Sequence, residues 1–148
     1  MKKRYFLYFI LYFTVCASCE EVNPAKPIRE GVLRTWKVNE VKISLGDVDL
    51  TTVYKLGDPN FIVNYESYRL TFFDDNTYYK IDEYNVDWEG IWEFASNDTK
   101  ILFDKGIDIS DIALVLDYGS TDLVLQFEEE NQKLGNIIRE FYFIPADD

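Results

Sequence analysis

Residues that could carry chemistry are scarce in this sequence. It contains no histidine and only two cysteines, Cys16 and Cys19, both before residue 20. Nucleophilic sites of the serine–histidine and cysteine–histidine kinds, and most zinc sites, need histidine or a thiol in the folded domain. No serine lies within Gly-x-Ser-x-Gly, and no phosphate-binding glycine loop occurs. The sequence therefore predicts a protein that is not an enzyme, with no catalytic residue and no cofactor.

Carboxylates are the remaining candidates. Glu89 and Glu93 could serve glycoside hydrolysis, which needs two carboxyl groups about 5–10 Å apart. Both, however, fall on the wet face of an alternating strand. A second acidic group could ligate calcium through oxygen, although its spacing misses the EF-hand pattern. Its members are Asp104, Asp108, Ser110 and Asp111. We interpret both groups as solvated surface and predict no metal site.

Charge and composition exclude other classes of function. The 148 residues include 15 basic and 27 acidic side chains, and the formal net charge is −12. Such a chain repels phosphate backbones, so we expect no nucleic-acid partner. Hydrophobic residues make up 47% and aromatic residues 17% of the sequence. This composition is sufficient for a buried core, and the length allows one ordinary domain.

The first 18 residues have the layout of a signal peptide for export. Basic residues at 2–4 precede an uncharged run over 5–15, which is too short to span a membrane. Residues 16–19, Cys-Ala-Ser-Cys, resemble the bacterial lipobox, whose last cysteine is lipidated and becomes the first residue after cleavage. The resemblance implies acylation of Cys19. The alternative is a plain signal peptide or a weak anchor helix.

An acylated Cys19 determines where the protein resides. Its membrane partner would be the acyl chains rather than the polypeptide. We expect a lipoprotein of the cell envelope, at the outer membrane, on the periplasmic or the surface face. Residues 19–31 contain two prolines and are predicted to form a flexible tether. Glu20 and Glu21 resemble the sorting signals of surface lipoproteins, or they simply keep the tether soluble.

Beyond residue 31, apolar and polar residues alternate as in strands with one dry face. No helical pattern of useful length appears. Because short turns join the strands, neighbours must pair antiparallel. The predicted strands cover 36–43, 47–54, 68–72, 77–82, 87–94, 101–103, 112–118, 122–128 and 137–144. We predict one all-β domain over 32–148, an up-and-down meander of about eight strands that closes into a barrel or folds into a sandwich.

Three segments, in this order, resemble the lipocalin-like domains of Gram-negative envelope lipoproteins. They are 33–38 around Trp36, 70–78 with the hairpin Asp-Asp-Asn-Thr, and 90–94 with Gly-Ile-Trp. Asn76 replaces the usual hairpin glycine, which is tolerable because asparagine accepts positive φ. The resemblance implies a small lipocalin-like barrel that can enclose one apolar ligand, and it implies no enzymatic activity.

In lipocalins, the tryptophan of the first strand packs under an arginine from the last strand and closes one end of the barrel. Here the resemblance gives these roles to Trp36 and Arg139, and it implies a cation–π contact between them. The alternative is that Arg139 faces solvent and Trp36 is ordinary core.

An eight-stranded barrel is only just wide enough to hold a guest, so two functions remain open. The first is binding of a small hydrophobic ligand, with these candidate residues: Phe61, Tyr68, Phe72, Trp88, Trp92 and Phe127. The apolar segment 55–67 could then cover the mouth as a lid, or it could seal the end of the core. The second is a filled barrel that acts as an accessory or scaffold protein. It would dock on another envelope protein through Tyr78, Tyr84 and Tyr142.

Overall fold

The computed structural model describes residues 28–106 and 111–146. The signal peptide, Cys19, the first part of the tether, and Asp108 and Ser110 lie outside the described residues. One short helix, α1 (Ile28–Val32), precedes nine strands. The strands are β1 (Thr35–Leu45), β2 (Thr51–Lys55), β3 (Arg69–Phe72), β4 (Thr77–Ile81), β5 (Asp87–Ala95), β6 (Lys100–Phe103), β7 (Asp111–Tyr118), β8 (Leu123–Asn131) and β9 (Gly135–Pro145).

The strands form one closed antiparallel sheet. From β3 to β9 each strand pairs with the next, and β1 closes the sheet by pairing with β9 from Trp36 to Leu45. The other edge of β1 pairs with β3 along Thr35–Lys37 and with β2 along Glu40–Ile43. Because β2 and β3 pair with the same edge of β1, they share one strand position. The nine strands therefore form a barrel with eight strand positions. The prediction of an all-β up-and-down barrel of about eight strands is confirmed.

The alternating strand directions give the barrel two ends. At one end β1 begins and β9 finishes, and we call this the closed end. At the other end lie the β1–β2, β4–β5 and β8–β9 turns and the start of the β6–β7 connection, and we call this the mouth. The amide of Gly46, after β1, donates to the carbonyl of Asn136 at the start of β9, 2.8 Å away. This bond ties two of the mouth turns together.

Helix α1 covers the closed end. Val32 is fully buried, and the indole Nε1 of the buried Trp36 donates to its carbonyl at 3.0 Å. The Arg29 guanidinium lies 5.5 Å from the ring centre of Trp92, and it donates to the carbonyl of Asp74 at 3.3 Å. Arg29 therefore contacts the barrel, whereas the sequence placed it in the tether of residues 19–31. A helix of five residues is too short for a periodic pattern to reveal.

The expected contact between Trp36 and Arg139 is not formed. Trp36 pairs with Pro145, whereas Arg139 lies opposite Ile43 toward the mouth. Seven residues of strand separate the two positions along β1, roughly 23 Å at 3.3 Å per residue. The cation over Trp36 is that of Arg34, 5.4 Å from the ring centre, and its guanidinium also donates to the carbonyl of Ser120 at 2.8 Å. An arginine does lie over Trp36, as predicted, but it is Arg34 and not Arg139.

The β3–β4 hairpin confirms the reasoning about Asn76. Its φ is 69°, the left-handed conformation that the missing glycine would have adopted. Asp75 fixes the turn by accepting from the amide and the hydroxyl of Thr77, at 2.9 and 2.6 Å. Phe72 and Tyr78 then form a cross-strand pair, so both side chains point to the same face. That face is the barrel interior.

Candidate functional site

The mouth holds a cavity of about 360 Å³. Its inner walls are mainly aromatic: Tyr65, Tyr68, Leu70, Tyr78, Phe103, Phe127 and Phe141. Its outer rim is mainly charged: Lys80, Asp82, Glu83, Trp88, Asp104, Asp111 and Arg139. Strands β3 to β9 all contribute, because each places an inward residue near its mouth end.

The inner wall is a continuous set of aromatic contacts. Phe127 lies 6.1 Å from Phe103 and 5.7 Å from Phe141, between ring centres. Phe141 also contacts Tyr68 at 5.4 Å and Tyr65 at 5.7 Å. Edge-to-face and tilted arrangements of this kind add to the stabilisation from burial alone. The wall is thus formed by packing within the barrel and needs no guest to assemble it.

Two tyrosines bring polar groups to this apolar wall. The side chains of Tyr65 and Tyr68 are only 4% and 6% exposed. Among residues 28–106 and 111–146, neither hydroxyl has a hydrogen-bond partner, and both tyrosines line the cavity. Burial raises the pKa of Tyr65 to about 12 and also raises the pKa of Tyr68. Both groups are therefore neutral at physiological pH and can donate or accept a hydrogen bond.

The Asp104 carboxylate fixes one side of the cavity. It accepts from the hydroxyl of Tyr78 at 2.6 Å and from the amide of Ile91 at 3.0 Å. Burial, together with Asp104, raises the pKa of Tyr78. A Cβ on Gly90 would lie 2.0 Å from Asp104 Oδ1, so only glycine leaves room for this carboxylate. The glycine of the Gly-Ile-Trp segment is thus explained by close packing in the mouth.

Asp82 organises the β4–β5 turn beneath Trp88. Its carboxylate accepts from the indole Nε1 of Trp88 at 3.0 Å and from the amides of Tyr84 and Val86 at 2.9 Å each. Desolvation opposes the charged form, but these bonds hold the pKa of Asp82 below its usual value. On β4, the Lys80 ammonium lies 5.4 Å from the ring centre of Trp88. The indole is therefore held at the rim from both sides.

The segment between β2 and β3 covers one side of the cavity. The amide of Leu56 donates to Asn39 O at 2.7 Å, and the amide of Ile62 donates to Val53 O at 2.9 Å. These bonds fold the segment back on β1 and β2, and Tyr65 enters the core while Ile62 stays exposed. Tyr65 belongs both to the buried hydrophobic core and to the cavity wall. This position supports both interpretations of the segment 55–67, as a lid over the mouth and as a seal at the end of the core.

Three of the six residues proposed for ligand binding line the cavity: Tyr68, Trp88 and Phe127. The other three do not. Phe72 and Trp92 are buried nearer the closed end, with ring centres 5.0 Å apart. Phe61 is 40% exposed and leans on Tyr54, outside the cavity. The alternation of apolar and polar residues shows which side chains point into the barrel, but not how far each lies from the mouth. Four residues along a strand span roughly 13 Å, so an inward residue can lie well below the cavity.

The surface tyrosines proposed for docking divide in a similar way. Tyr84 is exposed, and Tyr142 is half-buried with its hydroxyl donating to Glu140 at 2.6 Å. Tyr78, in contrast, is buried, because its pairing with Phe72 turns it inward. Sequence reasoning also left out Tyr65, Phe103 and Phe141 as ligand contacts. Phe103 and Phe141 lie on the predicted strands 101–103 and 137–144, whereas Tyr65 lies in a segment where no strand was predicted.

Over 28–106 and 111–146, no helix has the length and apolarity needed to cross a membrane. Over the same ranges, no three acidic, histidine or cysteine side chains come close enough together to hold a metal ion.

Comparison with known proteins returns similar structures only. No protein-family model and no curated protein matches the sequence. A lipocalin-like protein from Bacteroides uniformis is 10% identical, and the match covers 78% of this chain and 99% of that one with a TM-score of 0.45. A deswapped triple mutant of bovine odorant binding protein is 9% identical, and the match covers 80% of this chain and 76% of that one with a TM-score of 0.46.

Proposed function

We propose that this protein is a non-catalytic, lipid-anchored envelope lipoprotein whose barrel binds a small hydrophobic molecule at its mouth. The observation that supports binding is the aromatic cavity of about 360 Å³. Pockets for small molecules have volumes of about 300–1,000 Å³, with mostly apolar walls and a few polar groups. The tyrosine hydroxyls and the charged rim supply such polar groups here.

The anchor rests on the sequence of the leader. A basic start, a short apolar run and Cys-Ala-Ser-Cys at 16–19 suit cleavage after residue 18 and acylation of Cys19. Metabolic labelling with radioactive palmitate in a Gram-negative host tests this proposal. The wild-type protein should incorporate label and fractionate with the outer membrane, and Cys19→Ser should do neither. Equal labelling of the two would reject the anchor.

A titration with the uncharged fluorescent probe N-phenyl-1-naphthylamine tests ligand binding. The structure offers a matched pair of variants, because Phe127 and Phe94 are both half-buried but only Phe127 lines the cavity. Phe127→Trp should fill part of the cavity and reduce the affinity for the probe by about tenfold, equivalent to about 1.4 kcal/mol of binding free energy. Phe94→Trp should leave the affinity unchanged. Equal effects of the two variants, or no saturable binding at all, would contradict the proposal.

Docking to another envelope protein is the second candidate. Apolar side chains are exposed on two strands of the outer surface that β6 separates, at Ile91 on β5 and at Ile112 and Leu116 on β7. Isolated apolar side chains on a surface are common, so this candidate is the weaker one. Crosslinking in intact cells tests it. A partner captured by a photoreactive group at residue 112, and lost in Leu116→Glu, would support docking.

A further inference from the structure

The charges around the mouth cavity point beyond a merely apolar guest. Four carboxylates stand at its rim, those of Asp82, Glu83, Asp104 and Asp111, against two cations, Lys80 and Arg139. The Arg139 guanidinium is already paired with Glu129 at 3.0 Å, and the Lys80 ammonium lies over Trp88. The rim therefore carries a net negative charge.

The four carboxylates differ in what already holds them. Asp82 and Asp104 accept two or more hydrogen bonds each from backbone amides and side chains. Asp111 accepts only from the amide of Ile112, at 2.9 Å, and Glu83 has no partner among the described residues. Across residues 28–106 and 111–146, none of the four joins an ion pair. Glu83 and Asp111 are thus the carboxylates with free acceptor capacity.

The two buried tyrosine hydroxyls lie within the field of these same carboxylates. Besides burial, Glu83 raises the pKa of both Tyr65 and Tyr68 and Asp111 raises that of Tyr68, whereas Arg139 lowers that of Tyr65. Both tyrosines and both carboxylates line this one cavity. A phenol oxygen accepts a hydrogen bond, and both rings are more than nine-tenths buried where they line the cavity. Filling the cavity with hydrocarbon alone would leave two hydroxyls without partners, which is unfavourable.

We propose that the ligand is an amphiphilic amine, whose apolar body fills the aromatic cavity and whose ammonium group binds among the Tyr65 and Tyr68 hydroxyls, Glu83 and Asp111. The inference rests on the proposed function and names its ligand class. A primary ammonium has three donors and no acceptor, which suits two phenol oxygens and a carboxylate. A carboxylate-bearing ligand of the same length meets repulsion at the same place.

Three ligands with the same ten-carbon chain test the head group: decylamine, decanol and decanoate. Each is used to displace N-phenyl-1-naphthylamine from the full-length protein at neutral pH. Decylamine should bind at least about tenfold more tightly than decanol, and decanoate most weakly. Equal affinities for the amine and the alcohol, or a preference for decanoate, would overturn the inference.

Charge-neutral variants show where the preference arises. Glu83→Gln and Asp111→Asn should each reduce the ratio of decylamine to decanol affinity about fivefold or more, while decanol binds as before. Glu93→Gln changes the net charge equally, but Glu93 pairs with Lys105 on the outer face of β5, away from the cavity. It should leave the ratio unchanged, and an equal reduction would mean that only the overall charge matters.

Tyr68→Phe provides a second measurement that keeps the ring and the packing. It should weaken the binding of decylamine more than that of decanol. An equal loss of affinity for both ligands would mean that the Tyr68 hydroxyl does not bind the ammonium group. Failure of this inference is distinguishable from failure of the proposed function. If the probe and decanol bind but show no amine preference, only the head-group inference fails. If nothing binds, both fail.

Discussion

Substituting Gly90 tests how the mouth is packed. An alanine Cβ would lie 2.0 Å from Oδ1 of Asp104 and 2.7 Å from Cε1 of Tyr78, distances that no real structure tolerates. The Asp104 carboxylate would have to move away from the hydroxyl of Tyr78 and the amide of Ile91, which now lie 2.6 and 3.0 Å from it. Gly90→Ala should therefore break both hydrogen bonds at once.

The cost follows from the kind of bond that is lost. A hydrogen bond to a charged group contributes about 1.5–3 kcal/mol, and the buried Tyr78 hydroxyl is left without its acceptor. Replacing glycine within a strand returns about 0.5–1 kcal/mol of backbone entropy. The net expectation for Gly90→Ala is a loss of about 3 kcal/mol in the free energy of unfolding.

Urea unfolding, followed by tryptophan fluorescence, measures this loss. The double variant with Asp104→Ala isolates the contact, because the obstacle nearest to the new methyl group is then absent. We expect a coupling free energy of about 2 kcal/mol between the two substitutions. If Gly90→Ala is as stable as the wild type, or if the two effects simply add, the packing described for Asp104 is wrong.

Three further predictions concern stability. Arg34→Ala should lower the free energy of unfolding by about 1–2 kcal/mol, because it removes the cation over Trp36. Arg139→Ala removes only an exposed ion pair and should lower it by under about 1 kcal/mol. Equal losses for the two variants in urea unfolding would contradict the packing described for the closed end. Asn76→Ala should cost about 1–2 kcal/mol through left-handed strain, and a melting temperature equal to the wild type would refute this. Since burial raises the pKa of Tyr65 to about 12 and raises that of Tyr68, the unfolded chain loses these protons first as pH rises above about 10. Stability should be level below that pH and then fall by up to about 1.4 kcal/mol per pH unit for each tyrosine, which unfolding at pH 8 to 12 measures.

The architecture was predictable because its signals are local. Alternation around Leu123, Leu125 and Phe127 marked β8, and the turn residues before Thr77 marked a hairpin whose Asn76 does adopt positive φ. Antiparallel pairing of sequential strands followed from the short connections. Each of these inferences needs only a window of a few residues.

The site was less predictable because it depends on register and depth. Trp36 and Arg139 lie on paired strands, yet the register sets them seven residues apart. Tyr78 was placed on the surface, and only its pairing with Phe72 shows that it points inward. Tyr65 comes from a segment without periodicity, and its insertion into the core depends on contacts with Tyr54 and Phe141, distant in sequence.

The central claim is that a guest enters the barrel at its mouth, and the three tryptophans allow a direct test. Trp88 lines the cavity, whereas Trp36 and Trp92 are buried toward the closed end. In protein labelled with 5-fluorotryptophan, ¹⁹F NMR should show a saturable shift of the Trp88 resonance on adding N-phenyl-1-naphthylamine. The resonances of Trp36 and Trp92 should stay in place, with assignments from Trp88→Phe and the matching single variants. No shift of Trp88, or saturable shifts confined to Trp36 and Trp92, would contradict the account.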